Sequence, residues 1–365
     1  MYDKRYTKPI LALMIFSVSV AAYYYPVYKK GYSTGADFQN LMEARNFAAD
    51  GTYKIEDPAG VLLSSKNASQ FGAEKGIFNP LTPIIYGHIF KYFGFRPNLP
   101  LYISIALFSF FNVLIFLLSA RLFGTVVGLM SGIAGAFMPV MAVGAIHGGF
   151  YEWGILFFGL ALWSYLGSKN GPFQAGKIRV LAASILFALA ALSRNAFAIS
   201  FIPFFSYDLF INRSYKRSLI FLAPFVVLFG LTLTSISWVG VPNGYVAGIT
   251  NMSSDLVGEF FRDPYTYHFD KDNFIKEMYD RGLGRVAVSF ATQWGYDVSF
   301  SERIGAYFDS FRFYIAETIS LTNMGGPVVL GLMLLGLFSL YRLNKKILAL
   351  FILWWVLWLG YLVNS

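Results

Sequence analysis

The 365-residue chain contains no cysteine. Disulfides, thiolate nucleophiles and cysteine-based metal sites are therefore excluded. Histidine is scarce too, with only His88, His147 and His268, too few for a histidine-rich metal cluster. Charged residues make up 13% of the chain, about half of the roughly 25% usual in a soluble domain. No glycine-rich phosphate loop is present, so a nucleotide-hydrolysing engine is not encoded. There is neither a G-x-S-x-G elbow nor an HExxH zinc motif. No arginine-rich span points to voltage sensing.

What the chain has in abundance is apolar surface: 56% of residues are hydrophobic and 19% aromatic. A polar exterior cannot cover such a composition, so lipid must serve as solvent for much of it. The expected fold is an all-α polytopic membrane bundle. A span needs roughly 20 mostly apolar residues. Segments near that length fall at about 9–25, 100–120, 123–143, 149–167, 218–240, 327–341 and 347–363. The apolar run 179–211 is interrupted by Arg194-Asn195 and reads as two shorter spans, 179–193 and 196–211. The total is about nine.

Basic residues in short loops set the orientation. Lys4, Arg5 and Lys8 place the N-terminus in the cytoplasm. Alternation then puts Arg121, Lys169–Arg179, Arg213–Arg217 and Arg342/Lys345/Lys346 on the same side. These five segments hold 13 of the 29 Lys and Arg, against one acidic residue, Asp3. The assignment requires that 79–95, NPLTPIIYGHIFKYFGF, does not cross, and we read it as an interfacial or re-entrant helix. Two large loops, 26–98 and 241–326, then face the outer side with 17 of the 20 acidic residues. The chain divides into a membrane module over 1–240 that includes the first outer loop, the second outer loop 241–326, and a C-terminal helix hairpin over 327–365. No small-residue cleavage site precedes Tyr23-Tyr24-Tyr25, so the N-terminal run is not expected to be a cleaved signal.

Three polar positions stand out on the expected outer side. Asp37 opens GADFQNLMEARNFAADG, a short helix with an apolar stripe of Leu41, Ala44 and Ala48 and a stop at Asp50-Gly51. An aspartate there is first of all a good N-cap; the same place also suits a base at the membrane–water boundary. Glu152 is the only acidic residue between Pro80 and Tyr207. It gains from the helix dipole at the first turn of a span, yet an ionisable group at membrane depth is a functional candidate by default. His147 lies five residues before it. Arg194, in LSRNAF, either snorkels to the interface or pairs with Glu152, or it holds a phosphate bidentately. The second loop adds Arg262, His268 and Lys271 among many carboxylates, mostly a solvated surface.

The order of these features resembles a known superfamily. An Asp on a first-loop helix ending in ADGTY is followed by NPLTPIIYGHIFKYFG, then ARLFG, a Pro and a Glu before the next span, and ALSRNAF. Over residues 5–215 this is similar to the GT-C membrane glycosyltransferases that use polyprenyl-phosphate sugars, of the protein O-mannosyltransferase-like (family 39) and aminoarabinose-transferase-like kinds. Members often carry Asp-Glu where this chain has Ala36-Asp37, and a proline pair where it has Asn79-Pro80. Many also continue beyond the point where this chain stops, so a compact member is expected.

The resemblance implies inverting transfer of a sugar from a polyprenyl-phosphate donor to an acceptor hydroxyl on a glycan, lipid or protein. Asp37 would be the base and Glu152 a second acid orienting acceptor or sugar. Arg194 would be the phosphate partner, with His147, Arg262, His268 and Lys271 as further binding candidates. No cofactor is required, because the donor carries its own activation. A divalent metal between Asp37 and Glu152 is compatible but not needed. No nucleic-acid partner is expected. The lack of cysteine and of a retention signal favours a prokaryotic plasma membrane. Two other readings stand: a transporter or flippase of lipid-linked saccharide, and a non-catalytic subunit of a glycan-assembly complex. The first would need a polar path, whereas the inner half of the expected spans carries few polar residues.

Overall fold

The computed structural model describes residues 4–30, 81–96, 98–146, 151–166, 176–194, 197–238, 271–280, 298–319 and 345–364. It also describes scattered positions at 41, 44, 45, 47–49, 287, 288, 291, 338, 341 and 342. Every ordered element among them is helical, as the composition predicts. The helices are α1 (Lys4–Lys30), α2 (Leu81–Phe93), α3 (Leu99–Phe123), α4 (Thr125–Phe137), α5 (Pro139–Ile146), α6 (Tyr151–Leu166), α7 (Lys177–Ser193) and α8 (Phe197–Ser206). A π-helical turn (Tyr207–Ile211) then leads to α9 (Tyr215–Trp238), α10 (Lys271–Asp280), α11 (Phe300–Ile319) and α12 (Lys345–Asn364).

Three of these are long and apolar enough to cross a membrane: Thr7–Val27, Leu99–Phe123 and Tyr215–Thr232. The expectation of about nine spans is met only in this coarser form, and the reasons lie in the sequence. The segment 123–143 is cut at Met138, whose extended backbone (φ −71°, ψ 121°) is what a following proline imposes. The remaining piece, Thr125–Phe137, has 13 residues, which at 1.5 Å per residue is about 20 Å and short of a ~30 Å hydrocarbon core. Glu152–Leu166 and Phe197–Ile211 are likewise shorter apolar helices. The break expected at Arg194 is present: α7 ends at Ser193 and Arg194 is extended (φ −155°, ψ 120°). The segment 79–95 is a 13-residue helix, α2. Most of 327–341 lies outside the described residues.

α3 is the hub, packed against α1, α4, α5 and α6; α6 pairs with α7, α7 with α8 and α9, α8 with α12, and α12 with α11. The main core is aromatic, built from Phe158, Tyr165, Phe187, Phe197, Phe201, Phe204, Tyr207 and Phe221. Phe201 stacks on Phe221 at 4.6 Å and on Phe225 at 4.1 Å. Between helices in lipid, such contacts act through close packing rather than removal of apolar surface from water.

The second core device is polar. Asn112 Nδ2 on α3 donates to Ser19 Oγ (3.1 Å) and Tyr23 Oη (2.6 Å) on α1, and Tyr23 Oη donates to the Gly135 carbonyl on α4 (3.0 Å). One amide therefore ties three helices. The face of α4 that meets them carries Gly128, Gly132 and Gly135, a small-residue stripe that lets backbones approach. At Gly135 a Cβ would stand 2.5 Å from Asn112 Oδ1. The Cα–H of Gly135 thus points at that carbonyl oxygen, which has no conventional partner among the described residues.

Candidate functional site

The site is built around α2. Pro83 sits in its first turn, where the missing N–H costs nothing. Gly94, at φ 75°, takes the left-handed position that ends a helix. Thr82, Tyr86 and Phe90 fall four residues apart and share one buried face. Thr82 Oγ1 donates to the Ser193 carbonyl at the end of α7 (3.4 Å). One turn on, Tyr86 Oη donates to Glu152 Oε1. Its ring stacks with Phe90 and meets Trp153 edge-on, at 6.2 Å in each case.

Glu152 lies in the first turn of α6, where the helix dipole favours its charge, and only 1% of it is exposed. The neighbouring Trp153 has its indole Nε1 buried with no hydrogen-bond partner among the described residues. α6 and α7 form a hairpin, so the start of one lies beside the end of the other. Phe158 accordingly touches both Phe187 (5.9 Å) and Phe197 (5.5 Å) across the Arg194 break. Glu152 and the half-buried Arg194 therefore occupy the same end of the bundle, as expected from the sequence. The backbone turns there through Arg194 N–H to the Ala190 carbonyl (2.9 Å) and Phe197 N–H to the Arg194 carbonyl (3.0 Å).

The helix that follows Asp37 reaches the same place. Leu41, Ala44 and Ala48 pack on Tyr86 and Phe90 with Trp153, as their stripe predicts, and the Phe47 ring meets His88 edge-on at 5.5 Å. Asp37 itself lies outside the described residues, as do His147, Arg262 and His268. Lys271 opens α10, with its side chain outside them. Among the described residues no three metal-ligating side chains gather.

The other end of α6 holds a cluster that sequence reasoning did not single out. Asp208, fully buried in the π-helical turn, pairs with Arg217 at the start of α9 (Nε to carboxylate 3.0 Å). It also accepts from Asn212 Nδ2 (3.2 Å). The Arg217 guanidinium lies 5.0 Å from the centroid of the Tyr165 ring, a cation–π contact. Arg217, one of the basic residues of the expected cytoplasmic stretch Arg213–Arg217, is only 14% exposed. The Asp208–Arg217 pair also qualifies the expectation that the inner half of the spans carries few polar residues. A signal for this pair and for the Asn112 network was present: a lone acid nine residues before an arginine, and a lone amide in an apolar run. Tyr86 was equally legible from the i, i+4 spacing of Thr82, Tyr86 and Phe90.

No family model, curated protein or solved structure matches the chain. The functional reading therefore rests on the residues and their arrangement.

Proposed function

We propose that the protein is a membrane glycosyltransferase that moves a sugar from a polyprenyl-phosphate donor to an acceptor hydroxyl at the outer membrane face, with inversion. The observation that supports this most is the buried Glu152 carboxylate, bonded to a helix of the first outer loop and sharing one end of the bundle with Arg194. A donor with a lipid chain and a charged head needs such a boundary site. In the reaction the acceptor oxygen attacks the anomeric carbon as its proton passes to Asp37. The bond from that carbon to the phosphate oxygen breaks, and the phosphate leaves with the electron pair. Arg194 balances the charge that develops there, and Glu152 orients the sugar or acceptor.

The test is transfer of labelled sugar by purified protein in lipid nanodiscs, across a panel of polyprenyl-phosphate sugars. Asp37→Asn should abolish transfer while leaving donor binding intact, since Asn caps a helix about as well as Asp. Arg194→Ala should weaken binding of the sugar-free lipid phosphate by about tenfold, the effect of one charge-assisted contact. Arg194→Lys should recover part of it. Equal binding by Arg194→Ala and parent protein would make Arg194 structural.

A second reading, a transporter or flippase of lipid-linked saccharide, draws on the helix breaks at Met138 and Arg194 and on the buried Asn112. Interrupted helices line substrate paths in transporters. Movement of a lipid-linked saccharide across vesicles without bond cleavage would favour it.

A further inference from the structure

We propose that Tyr86 is a positioning residue that sets the Glu152 carboxylate for the sugar of a lipid-phosphate donor, with α2 bracketing the site. This rests on the glycosyltransferase reading. α2 is held from two sides. On one, Gly87 receives Phe47 and the Ala44 carbonyl of the helix that follows Asp37, so closely that a Cβ at Gly87 would overlap the Phe47 ring. On the other, Thr82 bonds the carbonyl of Ser193, next to Arg194, and Tyr86 bonds Glu152. One 13-residue helix thereby ties Glu152 to the end of α7 beside Arg194 and to Ala44 and Phe47.

The Tyr86 ring is already packed by Phe90 and Trp153, so phenylalanine would fill its space. Its hydroxyl contributes something the packing does not need: a donor that fixes the plane of a buried carboxylate. Each donor on a buried carboxylate narrows rotation about its last side-chain bond, a soft torsion between sp³ and sp² atoms. A group meant to orient a sugar hydroxyl cannot be left to rotate. Tyr86 touches Glu152 rather than substrate, so its effect must appear through Glu152.

The decisive variant is Tyr86→Phe in nanodiscs, read by infrared spectroscopy and lipid binding. The Glu152 carboxyl band is the one lost in Glu152→Gln, and it should shift in Tyr86→Phe. Binding of a sugar-bearing polyprenyl phosphate should weaken by about tenfold, as for one hydrogen bond to a charged group, while that of sugar-free polyprenyl phosphate stays unchanged. An unshifted band overturns the proposal, and so does equal weakening of both lipids, which would mark a general structural role. If neither lipid binds the parent protein, the glycosyltransferase reading fails while the band still decides whether Tyr86 holds Glu152. Should Tyr86→Phe not fold, 3-fluorotyrosine at position 86 keeps the ring and strengthens the donor. The band must then move; a band that stays in place refutes the assignment.

Discussion

Glu152 and Asp208 are the two carboxylates buried among the described residues, and they sit at opposite ends of α6 with different partners. Asp208 is neutralised locally: its cation, Arg217, follows nine residues later, and Asn212 lies between them. Tyr165 covers the guanidinium. These three partners belong to the turn where α8 passes into α9 or to the helix beside it. Glu152 accepts a hydrogen bond from a tyrosine 66 residues away, on α2. A local ion pair closes a corner of the fold. A long-range hydroxyl–carboxylate bond joins α2 to α6, as the proposed substrate site requires.

The same chemical change at both ends should separate the two most. Asp208→Asn leaves the Arg217 charge buried with an amide, and breaking such a pair costs about 3–5 kcal/mol. Thermal melting in detergent should drop sharply. Replacing both members by apolar residues, Asp208→Leu with Arg217→Met, should restore much of the loss, because desolvation of the charges disappears with them. Glu152→Gln keeps an oxygen for the Tyr86 hydroxyl to bond, so at that contact it should cost about 1 kcal/mol while impairing the proposed transfer. If the two amide variants melt alike, the distinction between closed pair and site collapses.

The sequence carried this contrast unevenly. Glu152 was conspicuous because it stands alone between Pro80 and Tyr207, and Arg194 because it interrupts an apolar run. Both are local signals. Asp208 falls inside the expected span 196–211, three residues from its end, and the basic stretch Arg213–Arg217 follows at once. In the structure Asp208 lies in the π-helical turn Tyr207–Ile211 and is fully buried. The helical class and the breaks at Pro139 and Arg194 follow from composition and backbone chemistry. The bonds of Asn112 and Tyr86 depend on which helices become neighbours, and periodicity within one helix does not contain that information.

Midway between the two ends, the Asn112 junction offers a test of intermediate size. Gly135→Ala would place a methyl 2.5 Å from Asn112 Oδ1, and overpacking of this kind costs about 1–3 kcal/mol. The strain has a named partner, so Asn112→Ala in the same chain should relieve it, and the double loss should be less than the sum of the single ones. Additive losses in melting would show that α4 shifts away and that the three-helix junction is not a fixed point. The Tyr86 cluster packs on Leu99 and Ile103 of α3, two turns or more from Asn112, so Tyr86–Glu152 should be unaffected. A change in the Glu152 infrared band in Gly135→Ala would join the two regions that the comparison keeps apart.

The smallest effect belongs to a third carboxylate, exposed where the others are buried. Ser299 and Glu302 form a reciprocal cap at the start of α11: the Ser299 hydroxyl (2.6 Å) and backbone N–H (2.7 Å) donate to Glu302 Oε2, and the Glu302 N–H donates to Ser299 Oγ (3.3 Å). The Ser299 hydroxyl first, and then its N–H, hold the Glu302 carboxyl below its ordinary value of 4.5. Ionised Glu302 is therefore favoured in the folded chain. Its contribution is present above that ordinary value and fades as pH falls through the lowered one. Tyr279 on α10 responds in the opposite direction. Burial, then the charges of Glu302 and Asp309, raise its phenol above 10.0, so what it contributes is present below 10.0 and lost as pH rises through the raised value. Amide hydrogen exchange in the first turn of α11 should quicken, after correction for intrinsic rates, between neutral pH and pH values below the Glu302 titration. In Glu302→Gln that acid response should vanish, since glutamine retains an acceptor but not the proton equilibrium. An unchanged acid response in the variant would trace the effect to a neighbouring carboxylate, with Asp309 the first to replace.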